Sequence, residues 1–133
     1  MSNGNVALVQ SLYGAFGRGE IGIIADAMTS DAEWTVTGRK SDFPLLGTWT
    51  GPDGVRRCFA RVDETLEFSE FVPRDFYAGD DKVFVIGRYA ATIRRTGRLV
   101  SSCWIHVFTL RNGKVGGFRE FTDTAQFAEA WRG

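Results

Sequence analysis

The sequence predicts an α+β protein in which helices cover one side of an antiparallel sheet. Apolar residues recur at helical spacing near the start of the chain and again near its middle. Three long extended stretches, residues 65–78, 82–94 and 98–110, follow one another with only short turns between them. This order of elements indicates consecutive antiparallel strands rather than alternating strand–helix units.

Length and composition indicate one domain, residues 1–133. The chain has 133 residues, of which 44% are hydrophobic and 14% aromatic, enough for a single core. Sixteen basic residues balance sixteen acidic ones, so no excess positive charge favours nucleic acid or a membrane surface. No apolar run approaches the roughly 20 residues that span a bilayer. We therefore expect no nucleic-acid partner and no membrane partner.

The cysteines and the first residues bear on location. Cys58 and Cys103 lack metal-type spacing, and together with a single histidine they cannot form a standard zinc site. We expect two reduced core thiols in a cytoplasmic protein that uses no cofactor. The first five residues are polar and no basic-then-apolar leader follows them, so we expect no secretory signal.

The first helix is long and amphipathic. Its apolar positions are Val6, Val9, Leu12, Tyr13 and Phe16. Asn3 or Asn5 is expected to cap it, and Gly17 with Gly19 to end it.

Three further helices are predicted. A short one covers residues 21–28. The third begins after Thr50, because Pro52 suits the first turn of a helix. Asp123 is expected to cap the last helix, with Gln126 completing a capping box.

Two further strands are predicted, one before and one after the three long extended stretches. Alternation over residues 32–36 predicts a strand with one buried face, and 38–50 is predicted to be a loop. Asn112 and Gly113 predict a hairpin turn, because both positions of that turn need φ > 0. A last strand is predicted over residues 114–122.

His106 is a candidate acid/base residue. It lies in mid-strand in phase with Trp104 and Phe108, so the three side chains share a face. One interpretation is a core histidine satisfied by a carbonyl or carboxylate. The other is a general acid/base with a pKa near neutral pH.

Glu120 is the second candidate, in phase with Phe118 and Thr122 on the last strand. It either faces solvent beside Arg119 or projects inward towards His106. In a regular two-residue hairpin Arg119 would oppose His106, whereas a one-residue bulge would put Glu120 there instead. Residue parity alone does not decide between the two.

The other candidates also have two interpretations each. Asp123 is a helix cap or a catalytic acid near the rim of a pocket. Tyr13 donates its hydroxyl into a pocket or packs between helix and sheet. The aromatic residues that would line an apolar pocket, or else fill the core, are Trp34, Trp49, Phe59, Trp104, Phe108 and Phe118.

Five segments of the chain resemble the SnoaL-like polyketide cyclase family, within the ketosteroid isomerase and nuclear transport factor 2-like superfamily. They are LYGAFGRGE (12–20), DAEW (31–34), GTWTG (47–51), WIHVF (104–108) and the stretch 113–125, which ends in REFTDTA. The resemblance covers nearly the whole chain in order. It implies a cone-shaped fold, in which a strongly curved sheet wraps around the long first helix and a deep pocket opens at one end. It also implies a homodimer that pairs through the sheet.

The resemblance constrains the activity as well. It matches His106 to a strand position that carries a pocket acid in ketosteroid isomerases, and it favours Glu120 facing inward. The three functional positions of ketosteroid isomerases match Leu12, Val36 and His106, so the base of that mechanism is missing. The Asp-Arg-Asp set of limonene-1,2-epoxide hydrolase matches His106, Trp104 and Glu120, so the central Arg is missing.

The expected function is that of a small cofactor-free enzyme acting on an apolar, oxygen-bearing small molecule. His106 and Glu120 would exchange protons with the substrate in a dry pocket, in a cyclisation, isomerisation or hydration. Such coupling would raise the pKa of His106 above its ordinary value. Two alternatives remain open: a non-catalytic binding domain, in which these two residues only satisfy each other, and a dimeric interaction module with a plugged pocket.

Overall fold

Four helices and six strands make up the fold. The computed structural model describes residues 2–133, with side chains from residue 4 onward. The helices are α1 (Ser2–Gly17), α2 (Ile21–Asp26), α3 (Gly51–Thr65) and α4 (Thr124–Arg132). The strands are β1 (Met28–Val36), β2 (Gly47–Thr50), β3 (Leu66–Gly79), β4 (Lys82–Ile93), β5 (Leu99–Arg111) and β6 (Lys114–Thr122).

The strands form one curved sheet in the order β2-β1-β6-β5-β4-β3. Four neighbouring pairs are antiparallel, and β1 runs parallel to β6. A parallel pair needs a long crossover, which the intervening helix α3 and four strands supply here. The α+β class is confirmed, and the parallel pair is the one departure from an antiparallel sheet.

Helix α1 lies inside the curve of the sheet. It packs against β3 and β4, while α3 packs against β1 and β2. Val9, Leu12 and Ala15 of α1 are buried in the core. None of the helices within residues 2–133 is long and apolar enough to cross a membrane.

The ends of the first two helices were predicted in part. Gly17 ends α1, and Gly19 has the positive φ of 75° that follows many helices, as expected. The expected caps are wrong, because α1 begins at Ser2 and both Asn3 and Asn5 lie within it; the Asn3 side chain is outside the described part. Helix α2 ends two residues before Met28, which begins β1.

The predicted loop 38–50 contains a short strand. Strand β2 pairs antiparallel with β1, so that Trp49 lies across from Trp34. Four residues are too few for an alternating pattern to stand out, and so the strand was not predicted. The actual loop, residues 37–46, buries Phe43, Leu45 and Leu46 in the hydrophobic core.

The last helix begins as predicted. The Asp123 carboxylate accepts a hydrogen bond from the Gln126 backbone N–H at 3.2 Å. The Gln126 side chain bonds to the backbone of Ser101 on β5 and donates to the Asp123 carboxylate. It does not complete a capping box, because the Asp123 backbone N–H donates to the Ser102 hydroxyl instead. One expectation about the thiols is corrected: Cys58 is buried, but Cys103 points outward from β5 and is exposed.

Candidate active site

A one-residue bulge in β6 sets the register at the site. Leu110 pairs with Val115 but Thr109 pairs with Gly117, which leaves Gly116 as the extra residue. The bulge changes which residues of β6 face inward. Val115 and Phe118 both face the core although they are three residues apart.

The bulge places His106 directly across from Glu120. Both side chains lie on the concave face of the sheet, together with Phe108 and Phe118. Of the two registers that the sequence left open, the bulged one is therefore correct. The signal for it is the Gly116-Gly117 pair, because glycine inside a strand is typical of a bulge.

His106 links a helix to the last strand through two hydrogen bonds. Its Nε2 lies 2.8 Å from Glu120 Oε2, and its Nδ1 lies 2.7 Å from the Tyr13 hydroxyl of α1. An ionised carboxylate can only accept, so Nε2 carries the proton and donates to Glu120. Nδ1 is then the acceptor for the Tyr13 O–H. Both interpretations of Tyr13 hold, although packing was the preferred one: its ring packs between α1 and the sheet, and its hydroxyl reaches the site.

Burial decides the charge of His106. The residue is 4% exposed, and burial lowers its pKa below the ordinary 6.5, while the hydrogen bond and charge of Glu120 act in the opposite direction. The expectation of a raised pKa is thus wrong, because desolvation outweighs the carboxylate. Burial and the Glu120 charge both raise the pKa of Tyr13, which stays a neutral donor.

Trp104 fixes the plane of the imidazole. Its indole stacks on the His106 ring with a centroid distance of 3.8 Å and an angle of 15° between the planes. The indole lies over Gly87 of the neighbouring strand β4, where any Cβ would come within 2.4 Å of the Trp104 ring. Gly87 therefore makes room for Trp104, and Trp104 in turn holds His106.

A cavity of about 110 Å³ lies inside the cone and reaches both His106 and Glu120. Phe, Tyr and Trp side chains form about half of its lining. The polar side chains lie together on one wall, formed by α1 and the inner face of β4, β5 and β6. They are Tyr13, Tyr89, His106, Glu120 and Thr122.

Glu120 presents one oxygen to this cavity. Its side chain is 15% exposed, and Oε2 accepts the bond from His106. His106 makes no bond to Oε1, and the Tyr89 hydroxyl lies close enough to Glu120 for hydrogen bonding to the carboxylate to contribute to the raised pKa of Tyr89. Oε1 is the oxygen that His106 leaves to a ligand, in a carboxylate that also has Tyr89 beside it.

Most of the aromatic candidates line the cavity. Trp34, Phe59, Phe108 and Phe118 line the cavity together with Tyr13. Their roles in binding a substrate remain predictions.

Three candidates lie outside the cavity lining. Trp49 projects from β2, where its indole N–H donates to the Leu45 carbonyl. Trp104 lies behind His106 instead of beside the cavity. Asp123 is exposed and caps α4, so of its two interpretations the structure supports the cap.

Sequence reasoning missed part of the wall. Tyr89 faces the cavity, and the signal that could have found it is its position in phase with Val83 and Val85 on a predicted strand. Phe68 and Phe71 of β3 both face inward although they are three residues apart, because the register shifts between Phe68 and Glu70. No comparable sequence signal marked that bulge.

Within residues 2–133, no three His, Cys, Asp or Glu side chains converge where a metal ion could be held. The arrangement can instead hold an apolar ligand against a carboxylate. What it offers chemically is one carboxylate oxygen, fixed by a neutral imidazole, in largely apolar surroundings.

Comparison with known proteins agrees with the fold. Residues 9–116 match the family model described as SnoaL-like domain. No match was found among curated proteins. An NTF2-like protein from Burkholderia xenovorans has 29% identity and a TM-score of 0.88, over 98% of this chain and 97% of that one. Another from Burkholderia thailandensis has 30% identity and a TM-score of 0.84, over 94% and 95%.

A third structure is that of TerC co-crystallised with polyporic acid. It has 26% identity and a TM-score of 0.85, over 98% of this chain and 99% of TerC. These matches confirm the resemblance seen in the sequence. The chain belongs to the SnoaL-like domain family.

Proposed function

We propose that this protein is a small acid/base enzyme that acts, without a cofactor, on a compact, apolar, oxygen-bearing molecule. The observation that carries the proposal is the Glu120 carboxylate at the wall of an apolar cavity, with Oε2 bonded to His106 and Oε1 left unbonded by it. Catalytic carboxylates are commonly found in such partly enclosed, largely apolar settings.

Glu120 is the proton-transferring group in this proposal. Oε1 takes a proton from a carbon or oxygen of the substrate, and the resulting carboxylic acid returns it to another atom. Such a transfer serves an isomerisation, a cyclisation or the activation of water for hydration. The aromatic walls keep bulk water away from the transferred proton.

His106 has a positioning role. Both of its ring nitrogens are bonded within the protein, to Tyr13 and to Glu120, so neither is free for a substrate. The imidazole instead fixes the rotamer of the carboxylate and directs Oε1 to the cavity. This differs from a direct proton exchange between His106 and substrate, which the sequence suggested.

The comparisons support a ligand-holding cavity in this family. The structure of TerC, which is similar over nearly its whole length, was obtained with polyporic acid. By analogy, we propose that the cavity of this chain also takes an oxygen-bearing organic molecule. The rival proposal, a non-catalytic binding domain, is favoured by the complete use of the His106 nitrogens by protein groups.

Deuterium exchange of a ketone and hydration of an epoxide test the proposal that the protein is an enzyme. We expect the protein to accelerate α-deuterium exchange of cyclohexanone in D₂O, or hydration of cyclohexene oxide, because both compounds are one-ring molecules that need a general base. Glu120→Gln should abolish the acceleration, since the amide keeps the shape but cannot take the proton. Both reactions can be followed by NMR.

Glu67→Gln is the matched control, because Glu67 is exposed on β3 and the charge change is the same. It should leave the rate unchanged. Equal rates in wild type and Glu120→Gln, or no rate above buffer with either compound, would favour the binding domain.

We also propose that the protein is a homodimer that pairs through the convex face of the sheet. Four large apolar side chains on that face, Phe84, Ile86, Ile105 and Phe121, are each about two-fifths exposed. Ile105 pairs with both Ile86 and Phe121 in the sheet, so three of them are direct neighbours. A contiguous apolar patch of this kind marks an interaction surface, and a two-fold pairing is the commonest way to cover it.

A further inference from the structure

The cavity carries a negative charge for which the protein supplies no cation. Glu120 is the acidic side chain of the lining, and no Lys or Arg among the described residues lines the cavity. His106 is hydrogen-bonded to Glu120, but burial favours its neutral form, so it is not a counter-ion for the carboxylate. A carboxylate in apolar surroundings without a counter-ion is costly, and a positively charged ligand would relieve that cost.

The walls of the cavity also suit a cation. Aromatic rings have a negatively polarised face that attracts ammonium groups within about 6 Å of the ring centre. Phe118 lies two residues before Glu120 on the same face of β6, and it stacks on Trp34 at 3.8 Å. Tyr13 and Tyr89 are close enough to Glu120 for its charge to raise the pKa of both hydroxyls. Rings and carboxylate therefore border the same space.

Size limits the ligand to about one ring. The cavity measures about 110 Å³. An apolar cavity of about 150 Å³ in another protein accommodates benzene. The present cavity is smaller than that but partly open, so a single ring fills it and extends into the opening while its polar end reaches Glu120.

We infer that the cavity binds compact organic ammonium ions, with the charged nitrogen at Glu120 Oε1 and the carbon skeleton among the aromatic side chains. This goes beyond the proposed function, because it concerns binding and holds whether or not the site is catalytic. Such an ion would cover the proposed base and so compete with any substrate.

Three ligands of similar shape but different charge test the inference. Benzylammonium, ethylbenzene and benzoate can be titrated into the wild-type protein by calorimetry. The ring signals of the single histidine, followed by NMR, would locate binding at the cavity. We expect benzylammonium to bind at least about 10-fold more tightly than ethylbenzene, and benzoate to bind most weakly.

In Glu120→Gln the preference for benzylammonium over ethylbenzene should disappear, while ethylbenzene binds as before. In the control Glu67→Gln the preference should persist. Ethylbenzene binding as tightly as benzylammonium in the wild type, or no benzylammonium binding at millimolar concentration, would overturn the inference. The wild-type comparison gives this answer even if Glu120→Gln does not fold.

The outcome is separable from that of the enzyme proposal. If the wild-type protein shows the charge preference but no catalysis, only the proposal of an enzyme is rejected. Catalysis of cyclohexanone exchange without any charge preference would reject only the cation site.

Discussion

The chemistry of the site at the scale of single residues depends on His106 being bonded on both sides. Its Nε2 donates to Glu120, and its Nδ1 accepts from Tyr13. Each bond specifies the other, because a neutral imidazole has one donor and one acceptor nitrogen. Removing Tyr13 would leave Nδ1 without a donor, whereas removing the Glu120 carboxylate would release the constraint that keeps the proton on Nε2.

Tyr13→Phe tests the helix side of this chain of bonds. The substitution keeps the ring but leaves the buried Nδ1 without a donor, so we expect a loss of about 1–3 kcal/mol in the free energy of unfolding. Urea denaturation followed by circular dichroism measures it. The matched control is Tyr77→Phe, because Tyr77 is largely exposed on β3 and should change stability by less than about 0.5 kcal/mol. Equal effects would mean that the hydroxyl bond contributes nothing specific.

The lowered pKa of His106 predicts how stability depends on pH. The unfolded chain binds the proton at the ordinary pKa of 6.5, and the folded protein binds it only at lower pH. This contribution to stability is therefore fully present above about pH 6.5 and is lost as the pH falls from there towards the folded pKa. The slope should reach at most about 1.4 kcal/mol per pH unit.

Urea denaturation between pH 5.5 and 8 checks this window, which lies above the range where most carboxylates titrate. His106→Gln cannot titrate and should lose the dependence, whatever its absolute stability. A wild type whose stability is flat between pH 5.5 and 6.5, or parallel to that of His106→Gln, would contradict a depressed pKa.

The sequence identified His106 and Glu120 but not the sign of the pKa shift. Their positions follow from strand phase, which alternation makes readable. The charge of His106 depends instead on how completely the surrounding elements bury it, and that depends on packing between distant parts of the chain. Tyr13 was ambiguous for the same reason, because a helix of known phase can still rotate over a sheet.

At the scale of secondary-structure elements, two local irregularities in the strands determine the arrangement of the site. The bulge at Gly116 turns Glu120 inward, and the absence of a side chain at Gly87 admits Trp104. Helices, hairpin turns and long strands were readable from the sequence because their signals are periodic or local. The bulges are single-residue events whose only trace is a glycine, or in β3 no trace at all.

Gly87→Ala tests the link from β4 to the site. A Cβ there would lie 2.4 Å from the Trp104 ring and 2.5 Å from the Val72 carbonyl oxygen, so either the ring or the backbone must shift. We expect a loss of about 1–3 kcal/mol in stability, together with moved NMR signals of the His106 ring that stacks on Trp104. Thermal denaturation and the histidine spectrum measure the two effects.

Gly79→Ala is the control for this change, because Gly79 lies at the end of β3 and a Cβ there would meet no atom within 4 Å. It should be nearly neutral in stability and leave the histidine signals in place. If both variants behave alike, close packing at Gly87 is not what positions Trp104.

The curved sheet gives the whole molecule two different faces. The concave face holds α1, the cavity and the dyad, whereas the convex face carries Phe84, Ile86, Ile105 and Phe121. Alternate residues of the same strand thus belong to different faces: His106 lies in the dyad on the concave face, and its sequence neighbour Ile105 lies in the apolar patch on the convex face. Pairing through the convex face would stiffen β5 and β6, the strands that hold the dyad.

Ile105→Lys tests the dimer at this scale. Light scattering after size exclusion should give the wild type twice the chain mass of 14.8 kDa, and should give the variant a single chain mass. A lysine at the centre of the patch would be buried without a partner in the dimer. In the monomer the same position is already partly exposed, so the variant should stay folded.

Leu99→Lys is the control, because it introduces the same charge at an exposed apolar position outside the patch. Leu99 is the most exposed of the large apolar side chains in the described part of the chain, and it lies at the start of β5, six residues before Ile105. At about 3.3 Å per residue it is roughly 20 Å away from Ile105, so this variant should remain dimeric. A monomeric wild type at tens of micromolar would refute the dimer, and a dimeric Ile105→Lys would place its interface elsewhere. If Ile105→Lys is monomeric and also loses the hydrogen bond between His106 and Glu120, the dimer stabilises the site.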